Sequence, residues 1–256
     1  MLRRINYHWR RLATGSAFSL FGIGGALLWL IVFPALHLFI RDEAKRGSAA
    51  RLVVHKSFAL FIGYMHRMGI LTYEIKGLES LQRSGLLILA NHPTLIDIVF
   101  LISLLRNADC VVRSGLAKNI ATRGPVQATG YISNDNAAEL IDSCIKSVKS
   151  GKNLVIFPEG SRSKPDRLLP FQRGAANIAV RGRLNITPVL IKCTPPTLSK
   201  GLGWYNIPSR RFHVSLEVLP DISVDSFCVD TEALAARKLT EYLTDFFTTE
   251  LKRAGA

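Results

Sequence analysis

A chain of 256 residues has room for one full hydrophobic core and an appendage. Its 33 Lys and Arg against 19 Asp and Glu give a formal charge of +14, which points to a polyanionic partner, either nucleic acid or an anionic lipid surface. A mean hydropathy of +0.20 and 48% hydrophobic residues favour lipid, and without zinc-finger spacing, an RNP-type aromatic run or a basic heptad helix no nucleic-acid partner is expected.

The first predicted element is apolar. Residues 12–40 contain no Asp, Glu, Lys or Arg, and His37 is their only ionisable side chain. Roughly 20 apolar residues cross a bilayer core, so this stretch is long enough to span with tilt. It is too long for a secretory signal, and no cleavage site follows it. Arg3, Arg4, Arg10 and Arg11 precede it; Arg41, Lys45, Arg46 and Arg51 follow. Cations on both flanks fit a segment that enters and returns, bending at residues 22–25 or at Pro34, slightly better than one that crosses once. A buried helical hairpin of a soluble protein is the remaining alternative. The expected location is the inner, cytoplasmic membrane, with the rest of the chain facing the cytoplasm.

Residues 50–68 read as an amphipathic helix stopped by Gly69, suited either to the lipid interface or to packing on the globular part. Residues 1–70 are therefore expected to form a membrane-associating helical arm. From residue 71 onward, strand-like runs (86–90, 110–113, 154–157, 186–193, 212–219) alternate with helical patterns (95–105, 137–149, 175–180, 231–252). Asn136 and Glu139 have capping-box spacing at the start of the second helix. The expected fold class is α/β, a mixed, largely parallel sheet flanked by helices and preceded by the membrane-associating helical segment. Residues 71–256 would form one catalytic-type domain.

Two short blocks carry the chemistry. Asn91-His92-Pro93-Thr94-Leu95-Ile96-Asp97 follows a strand, with Pro93 suited to a first helical turn. A side chain there sits at the rim of the sheet, where ligands of α/β folds bind. Asp97 can reach back to one ring nitrogen of His92 and fix its tautomer. No GxSxG is present, and no cysteine occupies a comparable turn, so the imidazole is better suited to activating a substrate hydroxyl. The bland reading is a capping histidine beside a solvated aspartate. The second block, Phe157-Pro158-Glu159-Gly160-Ser161-Arg162-Ser163, puts a carboxylate and a guanidinium at another strand exit. Arg162 can grip a phosphate through two donors, with Lys164, Arg167 and Arg173 adding positive potential. Its bland reading is a surface turn with a local ion pair. Cys110, Cys144, Cys193 and Cys228 form no CxxC pair, which argues for a reducing environment rather than disulfides or zinc.

Together, Asn91-His92 with Asp97 and the Phe157–Arg162 block resemble the glycerolipid acyltransferase family, over about residues 77–219, with Thr187-Pro188-Val189 corresponding to its proline-containing block. The resemblance implies a membrane-bound O-acyltransferase moving a fatty acyl group from acyl-CoA or acyl carrier protein to the hydroxyl of a lysophospholipid such as 1-acylglycerol-3-phosphate. It implies His92 as general base and Asp97 as its orienter. Glu159, Gly160, Ser161 and Arg162, with Asn91 and Arg113, would surround the acceptor. It implies no cofactor and no metal, the thioester being a substrate, with membrane lipid as partner. One departure matters. The family places an Arg after a run like Gly130-Tyr131-Ile132-Ser133-Asn134-Asp135, and here Asn136 stands there. Unless Arg123 or Arg113 substitutes, a phosphate-free acceptor such as an amino-acid lyso-lipid is the alternative. Further alternatives are a non-catalytic membrane adaptor that binds anionic lipid and a hydrolase using the same base.

Overall fold

The computed structural model describes residues 2–112, 126–133, 137–163 and 170–253. Helix α1 (Leu2–Leu27) continues through a π-helical turn (Leu28–Val32) into α2 (Phe33–Phe39). Neither the 22–25 glycines nor Pro34 reverses the chain; Pro34 lies directly after the π-helical turn, and the helix runs on through it. Reversal comes at residues 40–42. There the Asp42 carboxylate accepts the Lys45 N–H at 2.8 Å and caps α3 (Glu43–Arg67).

Helix α3 returns alongside α1 and α2. The Tyr64 hydroxyl meets the Ser16 hydroxyl at 2.8 Å, and the Phe21 ring packs between Phe58 and Phe61. Ile5–Phe39 is the one helical stretch among the described residues long and apolar enough to cross a membrane, and only 6% of its most apolar window is buried. Leu20, Ile23, Leu27, Leu30 and Ile31 are among the side chains it leaves uncovered. The arm is thus a helical hairpin whose outer helix keeps an apolar surface while α3 packs inward.

Next come β1 (Leu71–Lys76), a 3-10 turn (Leu78–Gln82), β2 (Leu87–Ala90), α4 (Asp97–Leu104), β3 (Ala108–Val112), β4 (Ile132–Ser133), α5 (Ala137–Lys149), β5 (Asn153–Ile156), α6 (Arg173–Gly182), β6 (Ile186–Thr194), β7 (Phe212–Val218) and α7 (Glu232–Arg253). The described strands form one sheet in the order β1-β7-β6-β2-β5-β3-β4, in which only the β6–β7 pair is antiparallel. Alternate residues of each central strand serve opposite layers. Ile88, Ala90, Val155, Val189 and Ile191 face a core shared with α3 and α4. Leu87, Leu89, Leu154, Ile156 and Leu190 face a second core under α5, α6 and α7. Burial on both faces explains why these strands read as continuous apolar runs.

The inner face of α3 belongs to the first core, since Ala50, Val54, Phe61, Ile62 and Met65 are buried with the sheet residues. Of its two expected roles, α3 takes the packing one. Arg51, buried on α3, donates to Asn107 Oδ1 at 2.7 Å, to the Thr129 carbonyl at 2.8 Å and to Ser48 Oγ at 3.2 Å. Arg51→Ala should lower stability by about 2–3 kcal/mol, the cost of removing a buried charged donor. The denaturation midpoint in detergent measures this; an unchanged midpoint would mean that apolar contacts alone hold α3.

Candidate active site

Strands β2 and β5 are parallel neighbours with Leu89 opposite Ile156. Counting three residues on from each leads to His92 and Glu159, so sheet register alone sets these two exits side by side. Both lie beyond the carboxyl ends of parallel strands, the usual place for a ligand cleft in this architecture.

The two turns are bonded to each other. The His92 N–H donates to Glu159 Oε1 at 2.8 Å, and the Ser163 N–H donates to the His92 carbonyl at 2.8 Å. The Ser163 hydroxyl donates to the other oxygen of Glu159. Glu159 is buried, so its carboxylate is a brace between the turns. The sequence reading put Glu159 at the acceptor; the structure turns its carboxylate inward, where one N–H and one O–H donor need an acceptor away from water.

Asn91 also faces inward. Its amide nitrogen donates to the Ile191 carbonyl at 2.8 Å and its oxygen accepts the Ile191 N–H at 2.7 Å. This buried side chain extends the β2–β6 pairing past the end of β2. Expected around the acceptor, Asn91 in the structure makes a backbone tie that fixes where His92 begins.

The imidazole has a defined orientation. Its Nδ1 lies 2.8 Å from Asp97 Oδ2, and the ring stacks on Phe157 with centroids 4.1 Å apart and planes 19° from parallel. With Nδ1 on the carboxylate, Nε2 is the nitrogen left to take a proton. The His92 side chain is 17% exposed and Asp97 is 0% exposed. Burial pushes the Asp97 carboxyl up, while the bonds from His92 and Thr94 pull it down. Thr94 supplies two of them, its N–H to Oδ2 at 2.7 Å and its hydroxyl to Oδ1.

Helix α4 begins at Asp97, so Pro93 lies in the preceding loop and not in a first helical turn. The loop takes that shape because the Asp97 carboxylate captures Thr94 and His92. The acidic side chain also suits the positive end of the helix.

Arg162 donates through Nη1 to the Leu198 carbonyl at 2.8 Å. The same carbonyl accepts the Leu95 N–H at 3.0 Å, which ties the loop after β6 to both motif turns. Leu198 adopts φ +54, a conformation L side chains rarely hold without surrounding support. The remaining guanidinium donors, Nε and Nη2, make no hydrogen bond among the described residues and are available to an anion. Gly160 turns the chain at φ +67 on the exposed rim, and Ser161 Oγ lies 3.4 Å from Lys200 Nζ. Burial pushes the thiol of Cys193, on the strand beneath, up to about 12, which leaves it a neutral group and not a nucleophile.

His92 is therefore in direct contact with both Asp97 and Glu159, and Arg162 joins them through Leu198 and the neighbouring Ser163. Arg113, Arg123, the Asn134–Asn136 segment with its expected cap, Lys164 and Arg167 lie outside the described residues. Sequence reasoning assigned no role to Thr94, Phe157, Ser163 or Leu198. The first three stand inside the two motif blocks, and that adjacency was the available signal; nothing local marked Leu198.

The family model described as Acyltransferase matches residues 72–192. The 1-acyl-sn-glycerol-3-phosphate acyltransferase of Helicobacter pylori is 32% identical over 181 residues, covering 67% of this chain and 74% of that protein. The enzyme of the same name from Saccharomyces cerevisiae is 27% identical over 194 residues, covering 72% of this chain and 63% of that one. The one from Limnanthes alba is 30% identical over 168 residues, with 61% and 57% covered. The chain thus spans about three fifths of the length of the yeast and plant relatives. The crystal structure of the 1-acyl-sn-glycerophosphate acyltransferase from Thermotoga maritima shares the fold, with TM-score 0.68, 22% identity and 98% of each chain covered.

Asn91→Ala removes two buried hydrogen bonds and leaves the Ile191 backbone groups unpaired. Thermal unfolding should show a loss of about 2–3 kcal/mol with the far-ultraviolet spectrum unchanged; a loss below about 0.5 kcal/mol, well under the value of one such bond, would show that the amide is not the tie described.

Proposed function

We propose that this chain, which belongs to the acyltransferase family, moves a fatty acyl group from a thioester to the hydroxyl of a lysophospholipid such as 1-acylglycerol-3-phosphate. The observation that carries the proposal is the His92 ring, held by buried Asp97 on one nitrogen and by Phe157 on one face, and partly exposed. His92 Nε2 takes the proton of the acceptor hydroxyl as its oxygen bonds to the thioester carbonyl carbon. The tetrahedral intermediate collapses by breaking the carbon–sulfur bond, and the imidazolium returns the proton to the departing thiolate. Asp97 stabilises the imidazolium between these steps and is not itself consumed. The donor is acyl-CoA or acyl carrier protein, used as a substrate.

Arg162 binds the anionic head group with its uncommitted donors, while Nη1 stays on the Leu198 carbonyl. Glu159 and Ser163 act as positioning residues, and Gly160 and Ser161 form the rim. The reaction takes place at a membrane surface, because both lipid substrates partition there and the arm carries an exposed apolar helix. In this reading the domain faces the cytoplasm.

A second reading has a specific observation behind it. Asn136 stands where the family places a phosphate-contacting Arg, which favours an acceptor without phosphate, such as an amino-acid lyso-lipid. A panel of lysolipid acceptors with labelled acyl thioester, read by mass spectrometry, separates the two.

In that panel His92→Ala should reduce turnover about 1,000-fold or more while membrane association stays unchanged, the loss expected when a general base is removed. Near-normal turnover would eliminate His92 as the base. Release of free fatty acid without acylated lipid would make the protein a hydrolase, and thioester consumption at background with every acceptor would favour the adaptor reading. Arg162→Ala should raise the apparent KM of a phosphate-bearing acceptor about tenfold, the scale of one lost charge-assisted contact, with the donor KM unchanged. A change confined to the donor KM would reassign Arg162 to the thioester.

A further inference from the structure

The loop of residues 195–211, between β6 and β7, is an exposed surface at the end of the sheet that carries His92. Strand β6 runs parallel to β2 and β7 returns beside it, so the loop leaves and re-enters the sheet at the edge where His92 stands. It contains no Asp or Glu. Leu202 is 40% exposed, Trp204 48% and Tyr205 65%, and Lys200 and Arg210 are exposed on either side of them.

This loop is fastened to the apolar arm. The Trp204 ring lies 5.3 Å from that of Phe18 on α1. Arg10 of the same helix donates to the carbonyls of Pro208 at 2.9 Å and Ser209 at 2.7 Å. The exposed aromatic pair therefore continues the uncovered surface of the helix that the proposed function places against lipid. Trp and Tyr favour the headgroup level of a bilayer, where an apolar ring and a polar edge are both satisfied, and flanking cations favour anionic lipid.

We infer that the 195–211 loop is a second membrane contact, which seats Trp204 and Tyr205 at the headgroup boundary of an anionic bilayer and sets Lys200 and Arg210 against lipid phosphates. The contact has a consequence for the cleft. The loop also carries Leu198, whose carbonyl holds Arg162, and Lys200, which reaches Ser161. A bilayer pressed on the loop would thus bear on the cation that meets a lipid acceptor as it arrives from that bilayer.

The inference rests on the membrane reading of the arm, and the test keeps the two apart. Tryptophan occurs at positions 9, 29 and 204. Full-length protein with Trp9→Phe and Trp29→Phe reports on Trp204 alone; Trp9→Phe with Trp204→Phe reports on the arm through Trp29. Each is mixed with phosphatidylcholine–phosphatidylglycerol vesicles whose chains carry bromine at a chosen depth. Trp204 emission should shift to the blue and be quenched more by bromine near the glycerol backbone than by bromine at the chain end. Vesicles of phosphatidylcholine alone should quench it less; equal quenching would overturn the part given to Lys200 and Arg210. Quenching of Trp29 without any change at Trp204 would overturn the loop contact and leave the arm in place. No change at either residue would overturn both, and acyl transfer to a detergent-dispersed acceptor reads the catalytic proposal separately. If Trp9→Phe disturbs the Trp9 Nε1 bond to the Met68 carbonyl, the difference between the native protein and Trp204→Phe gives the same answer. In that pair, loss of Trp204 should remove a shallow-depth quenching component, and identical depth profiles would contradict the inference.

Discussion

The cross-brace between the His92 and Glu159 turns is the constraint on which the site depends. One buried carboxylate accepts the His92 N–H and the Ser163 hydroxyl, and the Ser163 N–H closes the ring on the His92 carbonyl. A base in a loop is useful only if its ring is held within a fraction of an ångström, and loops have no ladder to hold them. Here the neighbouring loop takes the ladder's place. The Asn91 amide fixes the start of the turn on β6, and Asp97 fixes its end at the mouth of α4. Between these points the imidazole is left with one free nitrogen and a stacked Phe157. The cost is a set of buried polar groups that hold one another, so that losing one member disturbs the rest.

The arm and the cleft are parts of one structure. Helix α3 is at once the inner half of the hairpin and a wall of the first core, so the exposed apolar helix is placed rigidly relative to the sheet. Arg10 and Phe18 join that helix to the loop that carries Leu198. The proposed lipid contact and Arg162, the proposed head-group cation, therefore share a short chain of direct contacts. An enzyme whose substrates stay in the bilayer gains from such a connection, since an acceptor that leaves the membrane must first pay for exposing its acyl chain to water.

Much of the fold is legible in the sequence because the central strands are buried on both faces. Runs such as Leu87–Ala90 and Asn153–Ile156 have no polar alternation to obscure them, and the single-sided helix Ala137–Lys149 shows its period plainly. Edge elements are less visible. Strand β1 buries only Leu71 fully, and β4 has two residues, too few for any pattern. The hairpin turn is hidden for another reason: glycines and a proline advertise bends that the helix does not take, whereas reversal needs only Asp42 as a cap. Among site residues, chemistry is legible and direction is not. Asn91 and Glu159 have the functional groups of ligands, yet both point inward, because a strand exit in a parallel sheet leaves backbone donors that some side chain must satisfy. Convergence of the two blocks is likewise a property of β2–β5 register, which local spacing does not encode.

The kinetics of Glu159→Gln test the central claim most directly, because the substitution keeps the shape of the side chain and takes one acceptor out of the brace. If Glu159 positions His92, turnover falls sharply while the acceptor KM stays close to that of the native protein. If instead the acceptor KM rises and turnover at saturation is preserved, Glu159 meets the substrate, and the brace is not what holds the base.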